Sequence, residues 1–343
     1  MLPALCAILI LAASPGEDRP RPRLPPAGYR LQRTIPLPGN EGWDYLTVDS
    51  ERRRLYVTRG ERVVILDLAR EKVVGEIPGT AGVHGVALAE NFKRGFASEG
   101  RADSVAIFDT LKLTVLGRVP VGKGPDAILY DPFSRRVFVF NGESGTATAI
   151  DAALGTVAGT VDLGGKPEFG VSDDKGTIYV NIEDKNEVVG FGSRDLAVVS
   201  RWPLAPGETP TGLAIDKARG RLFAGCRSQV LAVLDTGNGK VLATLPIGKG
   251  VDAVAFDSRR GLALAATGDG TLTVVREDAL AHFVVVENAI TLPGARTLAL
   301  DSRTHRIYLP TAGFAAPPRP TPENPHPRGP MAPGSFVILV LGK

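Results

Sequence analysis

The sequence predicts an all-β chain folded as a seven-bladed β-propeller, and two observations carry that expectation. One is a unit of about 42 residues that recurs seven times, and the other is a heavy load of turn residues. Gly (40) and Pro (27) make about a fifth of the 343 residues, against roughly an eighth in ordinary proteins. So much turn chemistry excludes a helical bundle. Apolar residues at 43% and charged residues at 22% suffice for a sizeable core and exclude a disordered chain. No apolar run reaches the roughly 18 residues needed to span a bilayer.

Each unit reads as an alternating apolar run, a charged turn and a second run with an aromatic in its middle. The runs are Leu-Thr-Val-Asp49 with Leu-Tyr56-Val, Val-Ala-Leu-Ala89 with Gly-Phe96-Ala, and Ile-Leu-Tyr-Asp131 with Val-Phe138-Val. Gly-Val-Ser-Asp173 with Ile-Tyr179-Val, Leu-Ala-Ile-Asp216 with Leu-Phe223-Ala, Val-Ala-Phe-Asp257 with Leu-Ala263-Leu, and Leu-Ala-Leu-Asp301 with Ile-Tyr308-Leu complete the set. The anchors at 49, 89, 131, 173, 216, 257 and 301 lie 40 to 44 apart. That period, with several short strands per unit, marks a propeller blade.

A third and a fourth strand follow in each unit, as in Val63-Val-Ile-Leu-Asp67 and Lys72-Val-Val-Gly-Glu-Ile77. The Asp that ends the third strand recurs at Asp109, Asp151 and Asp235, where its side chain can bond the backbone of the following turn. Blades 4 and 6 carry Gly192 and Arg276 there, which predicts looser turns. The seventh unit supplies three strands, and residues 29–35 alternate like a strand without a blade of their own. Their pairing with 336–341 would close the ring and bury two open sheet edges. The expected domain is therefore a single propeller over 29–343, preceded by a signal peptide at 1–16 and a proline-rich linker at 17–28.

Leu55-Tyr56-Val57-Thr58, Ile178-Tyr179-Val180-Asn181 and Val137-Phe138-Val139-Phe140-Asn141 resemble the second-strand signature of the YVTN-repeat β-propeller family, the YncE-like proteins. Gly-x-x-Pro-Asp126-Ala resembles that family's first-strand opening. Blade 1 departs from the signature at Arg59, and blade 6 lacks the aromatic. The resemblance covers roughly 29–343 and implies a seven-bladed, usually exported propeller with roles in ligand, nucleic-acid or cell-surface binding, related in fold to lactonases. It carries over no catalytic residue.

In a propeller the first strand of each blade lines the central channel. Five positions before the anchors stand Asp44, His84, Asp126, Glu168, Thr211, Asp252 and Arg296, six of them ionisable. Charged groups converging on one mouth perturb each other's protonation, a pattern found both at functional sites and in structural ion networks. Oxygen donors with one imidazole suit a hard cation such as Ca²⁺, Mg²⁺ or Mn²⁺ better than Zn²⁺, with Asp126, Glu168 and Asp252 as candidate ligands. The loops after the second strands add Arg59, Glu99, Asn141, Glu143, Glu183, Asp184, Arg227 and Asp269 on the same face. The seventh of these loops, 315–334, holds eight prolines and could fold across the mouth as a lid, with His326 facing the ring.

On the opposite face, turns rich in Arg52, Arg53, Arg94, Arg135, Lys175, Arg219, Arg259 and Arg303 would form a basic rim, in line with the net charge of +3. Such a rim could hold DNA or an anionic polysaccharide. No nucleophile elbow, phosphate loop or dinucleotide fingerprint is present. Removal of the signal would leave Cys226 as a single buried thiol. The reading is a periplasmic or secreted, monomeric, non-enzymatic propeller that binds a small ligand, a divalent cation or a protein partner at Asp44, His84, Asp126, Glu168, Asp252 and Arg296. Two alternatives stand beside it. One is a metal-assisted lactonase-type hydrolase or lyase with His84 or Glu168 as general base. The other is binding of anionic polymers by the basic face.

Overall fold

The computed structural model describes residues 25–279, 281–319, 321 and 329–343. The expected signal peptide, most of the linker, His326 and the tip of the proline-rich loop lie outside the described residues. Seven four-stranded antiparallel sheets form the ring. Blade 1 runs outwards through Trp43–Asp49, Arg54–Arg59, Arg62–Asp67 and Lys72–Pro78. Blades 2 to 6 repeat the plan from inner strands Val83–Ala89, Pro125–Asp131, Pro167–Ser172, Pro210–Asp216 and Val251–Asp257. Blade 7 takes Ala299–Asp301, Arg306–Thr311 and Val337–Gly342, and its outermost strand is Arg30–Pro36. Arg30 pairs with Gly342 and Pro36 with Val337, so the ring closes as the sequence predicts.

Packing follows from strand position. Middle strands are covered on both faces by neighbouring blades and therefore read as continuous apolar runs, such as the buried Val63-Val64-Ile65-Leu66. Outer strands are mostly exposed, as in Lys72–Pro78, where Ile77 is the buried residue. Between blades 6 and 7 a cluster joins Leu262, Leu264, Leu339 and Leu341 to Tyr29 and Ala27. Ala27 is buried, and the N–H groups of Gly28 and Tyr29 donate to Glu287 at 2.8 and 3.2 Å. Ordered packing thus begins inside the stretch expected as linker. Among the described residues, helix is confined to two single 3₁₀ turns, Glu90–Phe92 and Glu183–Lys185, and no helix is long and apolar enough to cross a membrane.

The anchor aspartates do more than end a strand. Asp49, Asp131, Asp216, Asp257 and Asp301 are all buried. Each accepts a backbone N–H of its own hairpin turn, as Asp131 does from Ser134 at 2.8 Å. Several also bond the next blade: Asp131 accepts the Ser172 hydroxyl at 2.5 Å, Asp257 meets His305 Nδ1 at 2.8 Å, and Asp301 pairs with Arg53. Hydrogen bonds from Thr304 and Arg53 outweigh burial and hold the Asp301 carboxyl below its usual range.

Third-strand aspartates behave as expected, with Asp67, Asp109 and Asp151 each taking two turn N–H groups at 2.8 Å. The expectation of a looser turn at Gly192 does not hold. Its backbone bonds, Leu196 N–H to Gly192 O at 3.0 Å and Gly192 N–H to Ala197 O at 2.9 Å, match those at Asp109. Within the turn Asp195 Oδ1 also accepts the Ala197 N–H at 3.2 Å. At Arg276 the hairpin instead extends, and Thr271–Ala279 and His282–Ile290 pair over nine residues each.

Arg53→Met would leave the buried Asp301 without its cation across the blade 7 to blade 1 seam. Urea unfolding at pH 7 is expected to show a loss of roughly 1–3 kcal/mol, and an unchanged midpoint and slope would contradict the role given to this pair.

Candidate functional site

Six of the seven predicted mouth residues owe their position to the same backbone irregularity. In blade 1, Trp43 pairs with Arg59 and Leu46 with Val57, so Asp44 and Tyr45 stand opposite the single residue Thr58. Equivalent bulges place His84, Asp126, Glu168 and Asp252. An extra residue bends a strand and re-aims its side chains, and here it turns one charged group per blade into the channel. Thr58 and Ser98 stabilise two of the bulges: Asp44 N–H donates to Thr58 Oγ1 at 3.2 Å and Gly85 N–H to Ser98 Oγ at 2.9 Å. Thr211 occupies the fifth bulge but donates to Val251 O at 2.8 Å, a structural use. Arg296 precedes a short inner strand and is fixed by Ala253 N–H donating to its carbonyl at 3.1 Å.

The ionisable six form two groups. His84 Nδ1 lies 2.6 Å from Asp44 Oδ2 and 3.6 Å from Asp126 Oδ1. The hydrogen bond with Asp44 raises the imidazole to about 9, against the opposing effect of burial. Gly100 leaves the ring its room, since a Cβ there would stand 2.7 Å from it. On the other side, Arg296 Nε meets Asp252 Oδ2 at 2.8 Å, with Arg227 3.9 Å from the same carboxylate. Lys166 bonds Glu183 and stands 3.8 Å from Glu168 Oε2.

Glu168 is 6% exposed, and its Oε2 is buried without a hydrogen bond. Burial, reinforced by Asp126 and Glu183, pushes it up to about 8. Burial and repulsion from Asp44 push Asp126 up to about 7. Burial also raises Asp252 against the pull of Arg296. At neutral pH the mouth therefore stores protons on its carboxyl groups.

Three residues escape the count of five positions back from the anchors. Lys166 sits two positions before Glu168 and had no part in the repeat register. Tyr45 and Phe169 follow the mouth residues directly, and their rings meet at 5.3 Å although blades 1 and 4 are not neighbours. Their contact crosses the channel beneath the carboxylates, whose charge together with burial raises the Tyr45 hydroxyl well above its usual value. The signal was present: at this register the other five blades carry Gly85, Ala127, Gly212, Ala253 and Thr297.

Several residues expected at the rim are placed elsewhere. Arg59, Glu99 and Asn141 are fully buried. Arg59 lies 3.7 Å over the Phe336 ring and donates to Gly39 O at 3.0 Å, with burial lowering it to about 10. Asp184, Arg227 and Asp269 remain exposed on the mouth face. The described ends of the proline-rich loop stand beside the mouth, where Phe314 bridges to Met331 and its ring lies 6.0 Å from Trp43.

On the opposite face the basic rim is largely engaged in binding its own neighbours. Arg52 pairs with Asp49 and Glu90, Lys217 with Asp174, and Arg219 with Asp216 and Glu277, while Arg135 lies over the Phe92 ring. Cys226 is buried and pushed up to about 12 by burial, an inert thiol.

No family model matches the chain, and no curated protein matches it in sequence. Among solved structures it is similar to the U3-55K structure, with a TM-score of 0.75 at 10% identity over 92% of this chain and 99% of that one. It is likewise similar to the WD40 repeats of RRP9, with a TM-score of 0.76 at 10% identity over 94% and 100%. At that identity the likeness establishes the seven-bladed fold, a common scaffold for ligand and protein binding, and nothing finer.

Asp126 and Glu168 hold protons longer in the folded chain than the 3.8 and 4.5 of free carboxyls allow. Their contribution to stability is thus complete below about pH 4 and lost as pH rises through 7 to 8. The double variant Asp126→Asn, Glu168→Gln is expected to gain on the wild type by on the order of 5 kcal/mol between pH 5 and pH 8.5. Urea unfolding at the two pH values measures this, and an identical pH response of both proteins would refute the protonated mouth.

Proposed function

We propose that this chain is an exported, YVTN-type propeller that binds a hard divalent cation, and with it a small oxygen-bearing ligand, at the channel mouth. One observation carries the reading. Ligand atoms of Asp44, His84 and Asp126 all lie within 4.8 Å of one another, and the carboxyl of Glu168, with its unbonded Oε2, feels the charge of Asp126. Two or three carboxylates and one imidazole suit Mn²⁺, Mg²⁺ or Ca²⁺. The protons on His84, Asp126 and Glu168 occupy the charge that a cation would supply, so its binding displaces them. Asp252, held by Arg296, closes the ring of charge and balances it. The YVTN-type assignment is supported by the signature runs, which all fall on second strands: Arg54–Arg59, Arg136–Asn141 and Thr177–Ile182. Export rests on the apolar residues 1–16.

A second reading is favoured by Glu168 alone. A buried carboxyl near 8 beside a cation site is matched to proton transfer at neutral pH, which suits a lactonase-type hydrolase in which the cation polarises the carbonyl.

Calorimetric titration of chelator-treated protein with Mn²⁺, Mg²⁺ and Ca²⁺ tests the first reading. One cation per chain is expected, bound about tenfold or more tightly at pH 8 than at pH 6 because protons leave, and lost in Asp44→Asn with Asp126→Asn. Absence of binding of all three ions at pH 8 would overturn it. Turnover of γ- and δ-lactones by the Mn²⁺-loaded protein decides the second: none, with metal bound, excludes it.

A further inference from the structure

A second site adjoins the mouth, and we infer that it takes a small amphipathic anion: an apolar, ring-bearing body that ends in a carboxylate or similar acid group. A cavity of about 970 Å³ opens where blades 6, 7 and 1 meet the described ends of the proline-rich loop. That volume suits a small molecule and is too small for a folded partner. Its outer wall is apolar, built from Trp43, Leu292, Phe314 and Met331. Phe314 is 42% and Leu292 40% exposed, so their apolar faces meet solvent inside the cavity. Covering such rings with a flat apolar body is favourable by the area removed from water.

The inner end is polar, and its donors and acceptors are unequal. Its charged residues are Asp44, Lys249, Asp269 and Arg296. Both acids are already engaged. Asp44 holds His84, while Asp269 accepts the Lys249 N–H at 2.7 Å and the hydroxyls of Thr267 and Thr271 at 2.9 and 2.8 Å. The bases are not. Arg296 directs Nε at Asp252, and among the described residues its terminal nitrogens make no hydrogen bond. Lys249 is exposed, and its ammonium has no partner among the described residues. An acceptor with negative charge completes this end, whereas a cationic group would face an ammonium and a guanidinium. Apolar wall and open donors together define an amphipathic anion.

The inference goes beyond the cation site and does not depend on it. Two dyes with the same aromatic body test it: 8-anilinonaphthalene-1-sulfonate, which is anionic, and N-phenyl-1-naphthylamine, which is neutral. In a Trp202→Phe background, Trp43 is the remaining indole, and saturable quenching of its emission locates the dye. The anionic dye is expected to bind at one site per chain and about fivefold more tightly than its neutral twin. Lys249→Gln should remove that advantage without altering the neutral dye, Phe314→Ala should weaken both, and Asp126→Asn should change neither. Equal affinity for the two dyes, indifference to Lys249→Gln, or unquenched Trp43 emission would each overturn the inference.

Discussion

The pairing of Arg30–Pro36 with Val337–Gly342 draws both ends of the described chain into one sheet, and the rest of the ring depends on it. Without that pairing, blade 7 would present an open row of backbone donors and acceptors, and its seam with blade 1 would rest on side chains alone. With it, seven inner strands share one axis. Residues 253 positions apart then touch, as when the Thr297 hydroxyl donates to the Asp44 carbonyl at 2.9 Å. The channel mouth exists only because the circle is complete.

Closure also explains the electrostatics. Each inner strand delivers one side chain to a space narrow enough that carboxyl groups cannot all be hydrated, so burial is the first cause of the raised Asp126, Glu168 and Asp252. The two faces of the ring solve the same problem differently. Away from the mouth, Asp301 and Asp131 receive several hydrogen bonds each and stay below their usual range. At the mouth, Glu168 Oε2 receives none and goes up. Carboxyl groups at repeated positions thus lie below their usual range on one face and above it on the other, according to the donors around them.

Much of this was legible in the sequence. The anchors at 42-residue spacing located every blade, and counting back five positions found Asp44, His84, Asp126, Glu168, Asp252 and Arg296, because a repeat of fixed length puts equivalent residues at equivalent depth. What stayed hidden was local or relational. The bulges leave no mark in composition, since Thr58 and Ser98 look like ordinary strand residues. Arg59 reads as a rim charge until Phe336, from the far end of the chain, is folded over it. The tight turn at Gly192 keeps the backbone bonds of its counterparts and draws its carboxylate from Asp195, three residues beyond the position where the repeat carries Asp. Which cations stay open, Lys249 among them, emerges only when every nearby acceptor has been assigned.

The contact of Tyr45 with Phe169 has a kinetic meaning. By bridging blades 1 and 4 it narrows the axial passage, so exchange at the mouth is favoured past Trp43, Phe314 and the described roots of the proline-rich loop over travel down the axis.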